Sequence, residues 1–121
     1  MFVLSSPSGR AEAGPSDLVA WTEGRGLLAT GSSSPPVTYR GVTYVVAHAN
    51  NALLYPGLGL GTIVSQSSRV SDGMLLAAAS AVSSLVTVRQ PGASLLPQID
   101  DLRSVSVTVA VAVAEAAVAA H

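Results

Sequence analysis

A chain of 121 residues with 11% charged side chains and a formal net charge of -1 has room for one domain and no surplus of either sign to recruit a charged polymer. Its six cations are all arginine, at Arg10, Arg25, Arg40, Arg69, Arg89 and Arg103, and form no run, which argues against nucleic acid as a partner. With no cysteine, a disulfide framework and a thiolate metal site are both excluded.

In chain order, Met1 to Leu4 reads as a short apolar strand that breaks at Ser5-Ser6-Pro7. A helix is predicted from Pro15 or Ser16 to about Trp21, stopped by Gly24, and Leu27 to Thr30 reads as a second strand ending at Gly31-Ser32. Together these make a β-loop-α-β unit over residues 1–32, in which two neighbouring parallel strands are joined by a crossover helix. In an open doubly wound sheet the loops after each strand face the ligand, which makes Ser5, Ser6, Gly31 and Ser32 candidates. Residues 33–49 read as loop and turn, with a short hairpin around Arg40-Gly41 and Asn50-Asn51 at its exit. Helices are expected from Leu58 to about Gln66 and from Ser71 to about Val86, followed by a connector from Pro91 to Pro97. The last segment is ambiguous. Ser104 to Val109 alternates with the period of a strand, whereas Asp100-Asp101 ahead of it and the alanines behind it suit a capped helix.

The most informative stretch is Asn50-Asn51 followed by Pro56-Gly57-Leu58-Gly59-Leu60-Gly61. A carboxamide donates and accepts at once, and a helix beginning in the glycines would present free N–H groups and a positive dipole end to a carboxylate or phosphate. The glycine spacing misses the dinucleotide fingerprint, because position 62 is Thr. Asparagines that bridge backbone groups in a tight turn are the plainer account of the pair.

A longer ordered pattern surrounds this block. Phe2-Val3-Leu4-Ser5-Ser6-Pro7-Ser8 with Ala11-Glu12, Trp21-Thr22-Glu23-Gly24-Arg25, Ala29-Thr30-Gly31-Ser32 with Pro36-Val37-Thr38-Tyr39, and the asparagines with their glycines resemble the C-terminal part of malic enzymes. Asp72 to Ala79, Leu96-Pro97 with Ile99, Arg103 to Ser106 and Ala110 to Glu115 are similar to that family's closing helices, in the same order. The resemblance covers essentially the whole chain and resolves the last segment as a helix. It implies an α/β fold: the C-terminal part of a Rossmann-like doubly wound parallel sheet followed by several helices. The implied organisation is a partial NAD(P)-binding domain over residues 1–121, with the β-loop-α-β unit at 1–32, the ligand loop and glycine-rich helix start at 33–61, and the C-terminal helices at 62–121.

By the same resemblance the complete enzyme converts malate to pyruvate and CO2 with NAD or NADP and uses Mg2+ or Mn2+. The family's acidic metal ligands and its Lys and Tyr acid-base pair precede the matched part, and this chain has no Lys, so no catalytic residue and no metal ligand is assigned here. Asn50 and Asn51 match the pair that contacts the substrate carboxylate and the nicotinamide region. Ser6 stands where the family carries a further ligand-binding Asn, and a hydroxyl has a shorter reach and fewer handles. Val46-Ala47-His48-Ala49 replaces the usual Pro-Gly-Gln-Gly, so alanine costs free energy if those glycines hold positive φ. A histidine can serve as a base, but His48 has no acidic neighbour in sequence to orient it and reads as a hydrogen-bonding loop residue. Trp21 reads as core or an interdomain anchor, the Leu75-Leu76 stripe as packing, and Glu12 with Arg10 as a local ion pair or a distant cap.

The chain is therefore expected to be part of an NAD(P)-dependent malic enzyme and inactive alone. Its partners would be malate and pyruvate, the remainder of the enzyme chain and, when complete, further copies of itself. A hydrophobic fraction of 49% and a mean hydropathy of +0.50 agree with a piece that expects a neighbour. Val105 to Ala120 falls short of the roughly 20 apolar residues of a membrane span and contains Glu115. Met1 to Leu4 is too short for a signal peptide, so a cytoplasmic location follows. The other readings are a diverged non-catalytic remnant that binds a partner through apolar helices, and a stand-alone anion- or nucleotide-binding module.

Overall fold

The computed structural model describes residues 1–5 and 8–120. The chain divides into two compact units, one formed by Met1–Ala49 with Val86–Leu96, the other by Asn50–Leu85 and the residues from Pro97 onward. In the first unit, β1 (Phe2–Val3) leads through a 3-10 turn at Ser8–Arg10 to α1 (Pro15–Trp21) and then β2 (Ala29–Thr30), β3 (Val37–Tyr39), β4 (Val42–Tyr44) and β5 (Ala47–His48). The sheet is three-stranded and parallel in the order β1-β2-β5, with Phe2 opposite Ala29, Ala29 opposite Ala47, and Thr30 opposite His48. The β1-α1-β2 crossover is the predicted unit, and the parallel sheet is Rossmann-like. The third strand, β5, lies where loop was expected, so the asparagines follow β5 and not the hairpin.

The hairpin β3–β4 turns through Arg40 and Gly41, both at positive φ (48° and 80°), as a two-residue turn of the primed type requires. Leu18, Val19 and Leu28 form the core of this unit, with Val3, Val37, Tyr39, Tyr44 and Val46 packed around them. Trp21 is 70% exposed and so is not core, because α1 turns its Leu18 and Val19 inward and ends just there. After α1 the chain reverses through Glu23 and Gly24, both at positive φ, and the Tyr44 hydroxyl donates to the Gly24 carbonyl at 3.1 Å. The segment Val86–Leu96 is anchored to the hairpin by the Val45 N–H, which donates to the Gly92 carbonyl at 2.9 Å.

The second unit holds a 3-10 turn at Asn51–Leu53, α2 (Tyr55–Val64), α3 (Asp72–Ser84) and α4 (Leu102–Ala119). Ser71 caps α3 by accepting the Met74 N–H at 3.2 Å. In α4, Val105, Val109, Val113 and Ala117 are buried at strict four-residue spacing, a core-facing stripe for which the strand-like alternation of Ser104 to Val109 is incidental. The stretch Ile99–Ala119 is long and apolar enough to cross a membrane by composition, and 28% of its most apolar window is buried inside the fold. Asp101 precedes α4 without making a side-chain cap bond, contrary to expectation, since a 3-10 turn at Ile99–Asp101 already satisfies the helix start. Along α3 it is Met74, Ala78, Ala81 and Val82 that are buried, while Leu75 and Leu76 face outward; four-residue spacing from Met74 sets the core face.

The glycines of α2 have a different role from the one expected. The helix begins at Tyr55, ahead of them, so they do not form its open N-terminus. Gly57 and Gly61 are buried against α4: an ideal Cβ on Gly57 would lie 2.6 Å from Val109 Cβ, and one on Gly61 would lie 2.7 Å from Val113 Cβ. They allow two helix backbones to approach closely.

Candidate functional site

Strand ends generate the candidate site of the first unit. All three parallel strands point the same way, so the residues that follow them gather at one edge: Ser5 after β1, Gly31 and Ser32 after β2, and His48 at the end of β5. Ser6 lies outside the described residues. The Gly31 N–H donates to the Val3 carbonyl at 2.8 Å, and a Cβ on Gly31 would collide with the Leu4 carbonyl. Glycine is therefore needed there for backbone packing between the two strand ends. Thr30 Oγ1 donates to the Ser32 carbonyl at 2.8 Å and closes the bend that follows β2.

A cavity of about 50 Å3 opens at this edge, lined in part by Ser5, Thr30, Ser32 and Ser34, room for a water-sized guest but not for an enclosed cofactor. The Ser34 hydroxyl is buried with no hydrogen-bond partner among the described residues. Thr30 and Ser34 were not singled out by the sequence; the run of serines at Ser32-Ser33-Ser34 before Pro35 was the available signal.

Ser5 is already committed. Its hydroxyl donates to Glu12 Oε1 at 2.5 Å, leaving only acceptor capacity for a ligand. That bond, joined by Glu12's own backbone N–H, holds the Glu12 carboxyl below its ordinary pKa against a small opposing desolvation. Glu12 thus pairs with Ser5 and not with Arg10. A carboxyl with a depressed folded pKa adds stability above its unfolded pKa and loses it as pH falls through the folded value, which places this contribution on the acid limb. Replacing Ser5 by Ala should raise the Glu12 pKa toward the ordinary carboxylate range in a carbon-detected NMR titration. An unmoved Glu12 would mean that the Ser5 bond does not exist in solution.

His48 is half-buried, paired with Thr30 across β2 and β5, in a strand where a loop residue was expected. Ala47 and Ala49 are not among the residues at positive φ, so the alanines that replace the family's glycines impose no backbone strain; extended strand geometry suits them. The Ala49 N–H donates to the Thr30 carbonyl at 2.8 Å and fixes the chain up to the asparagines.

Asn50 and Asn51 open the second unit. Asn50 is extended (φ -121°, ψ 131°) and its Oδ1 accepts the Ala52 N–H at 2.9 Å, capping the 3-10 turn at Asn51–Leu53. The plainer account of the pair therefore holds for one atom of Asn50, whose Nδ2 makes no recorded bond among the described residues. Asn51 is exposed, and its side chain makes none either. Both carboxamides thus have donor capacity left for a ligand. Among the described residues no group of three or more His, Cys, Asp or Glu is placed to hold a metal ion. In the first unit the donors at the strand ends are hydroxyls and the His48 imidazole; in the second they are the two carboxamides. Carboxamide donors suit a carboxylate or a nicotinamide amide, and neither set is the cluster of carboxylate oxygens that Mg2+ or Mn2+ requires.

Comparison with known proteins is consistent across several relatives. The model of the family described as "Malic enzyme, NAD binding domain" matches residues 1–118. The chain is 56% identical over 114 residues to "NAD-dependent malic enzyme 3" of Bacillus subtilis, covering 94% of this chain and 20% of that protein. It is 49% identical over 118 residues to a "Putative malate oxidoreductase [NAD]" of Mycobacterium tuberculosis, covering 98% of this chain and 22% of that protein. It is 47% identical over 116 residues to an "NAD-dependent malic enzyme" of Acinetobacter baylyi, covering 95% and 20%. The chain spans about a fifth of the length of these relatives. A family match over nearly every residue, on a parallel β1-β2-β5 sheet with four α-helices among the described residues, means that this chain belongs to the malic enzyme NAD-binding domain family.

Proposed function

We propose that residues 1–121 are the C-terminal part of the NAD-binding domain of a malic enzyme, which oxidises malate with NAD and releases pyruvate and CO2. The observation that carries this reading is 56% identity over 94% of the chain to a protein named as an NAD-dependent malic enzyme. NAD is preferred to NADP because the similar proteins are named for NAD. NAD, when bound, supplies the hydride acceptor. The chain's own residues bind and orient: Asn51, with Asn50 Nδ2, donates hydrogen bonds to a malate carboxylate or the nicotinamide amide. A neutral carboxamide does this without adding a charge that would shift the pKa of a reacting group. Within the first unit by itself, Ser32 and His48 offer a hydroxyl and an imidazole at the ends of β2 and β5. Acid-base chemistry and Mg2+ or Mn2+ belong to the remainder of a full-length chain, whose partners are malate, pyruvate and further copies of itself. The 121 residues alone are expected to be inactive.

The test is a graft. This chain replaces the matching segment of the Bacillus subtilis relative, and malate-dependent NAD and NADP reduction is followed with Mn2+ present. Turnover with NAD is expected. A soluble, folded graft without turnover would overturn the enzymatic reading and favour a non-catalytic remnant, for which the outward apolar face of α2 (Leu60, Ile63, Val64) is the supporting observation.

A further inference from the structure

A cavity of the first unit lies at the opposite edge of the sheet from the candidate site. About 320 Å3 in volume, it opens beside Leu27-Leu28 and Val45-Val46, the residues that enter β2 and β5. That is the lower end of the size range of small-molecule sites. Its walls carry Arg25 and Arg89, two of the chain's six cationic residues, together with Gln90, and no carboxylate lines it. Glu23 approaches Arg25 at 3.5 Å on the surface, where both side chains are mostly exposed, so this pair leaves the Arg25 charge largely available. Arg89 makes no salt bridge among the described residues.

Both arginine-bearing walls are rigid turns. Pro91-Gly92 occupies the centre of a turn closed by the Ala93 N–H, which donates to the Gln90 carbonyl at 3.2 Å; Gly92 at φ +84° meets the positive φ that a type II turn demands after Pro. Gly92 also packs so closely on the Thr43 carbonyl that a side chain there would collide, which pins the turn to β4. Opposite it, Arg25 follows Gly24, where the Tyr44 hydroxyl bond and the positive φ fix the reversal after α1. The cavity is therefore preformed, and its cations sit on a chain whose net charge is -1. Local positive potential in a cleft concentrates small anions.

We propose that this cleft is a binding site for a small oxyanion of the phosphate or dicarboxylate class, held by Arg25 and Arg89 with Gln90 as a neutral donor. Arginine's planar fork suits both oxyanions in the same bidentate geometry. The cleft lies at the other end of the strands from Ser32 and His48. The test titrates the full chain with inorganic phosphate and, separately, with succinate, each against sodium chloride at matched ionic strength, and follows backbone amides by NMR. Saturable shifts centred on Gly26, Gln90 and Gly92 are expected, with a Kd on the order of 1 mM, and whichever anion binds more tightly identifies the class. Arg89→Gln should weaken binding by about tenfold or more, and Arg89→Lys by less, because the charge stays and the fork is lost. Amide dispersion away from the cleft reports that each variant is folded. Shifts that fail to saturate, match those in chloride, or persist unchanged in both Arg25→Gln and Arg89→Gln would overturn the proposal.

Discussion

Gly61→Ala should destabilise the fold by about 1–3 kcal/mol, although alanine is the better helix former by about 1 kcal/mol. The added methyl would sit 2.7 Å from the Ala110 carbonyl oxygen and 2.7 Å from Val113 Cβ on α4, and backbone on one side cannot rotate out of the way. Gly57→Ala faces the same conflict, at 2.7 Å from the Ser106 carbonyl oxygen. Gly59 lies between them on the same helix, with nothing within 4 Å of its would-be Cβ, and Gly59→Ala should therefore stabilise by about 0.5–1 kcal/mol through propensity alone. Urea midpoints of the three variants measure this directly. Three shifts of one sign would mean that α2 and α4 do not meet in solution through the Gly57 and Gly61 face.

That contrast also explains what could be read from the residues in order. The β1-α1-β2 unit was legible because its signals are local: an apolar run, a Pro at the helix start, and a Gly where the chain must reverse at positive φ. The hairpin was legible for the same reason at Arg40-Gly41. β5 was not, because two residues, Ala47 and His48, become a strand only by pairing with β2, whose partners lie about eighteen positions earlier. The glycines of α2 carried two compatible local readings, and the residues that decide between them, Val109 and Val113, stand some fifty positions later. Leu75 and Leu76 were misplaced because the burial phase of α3 is set by Met74 and Ala78, a choice made by α4 and not by the apolar content of α3 itself. At the candidate site, the residues at the sheet edge follow from strand direction alone. The Asn50 to Ala52 bond is the turn reading that the residues already offered, whereas the Ser5 to Glu12 bond joins residues seven positions apart and has no local signal.

Substitutions at the two asparagines should separate structural from ligand-binding work in the grafted enzyme. Asn51 is exposed and makes no recorded side-chain bond, so Asn51→Ala should leave the urea midpoint in place. Loss of a hydrogen bond to an ionic substrate costs about 2–3 kcal/mol, which corresponds to a fall in kcat/KM of about 100-fold. Asn50→Ala removes the acceptor for the Ala52 N–H and should cost about 1 kcal/mol of stability as well as activity. Asn50→Asp divides the two roles. Aspartate keeps an oxygen where Oδ1 caps the turn, so stability should survive, while the Nδ2 donor is exchanged for a negative charge that repels a carboxylate. If Asn50→Asp retains full activity, Asn50 serves only the turn, and Asn51 alone carries the ligand contact. If Asn51→Ala also retains full activity, the pair is structural throughout and the assignment of ligand binding to it fails. The expected pattern is loss of turnover in all three variants with loss of stability in Asn50→Ala only, because the capping oxygen and the donating nitrogen are different atoms of one side chain.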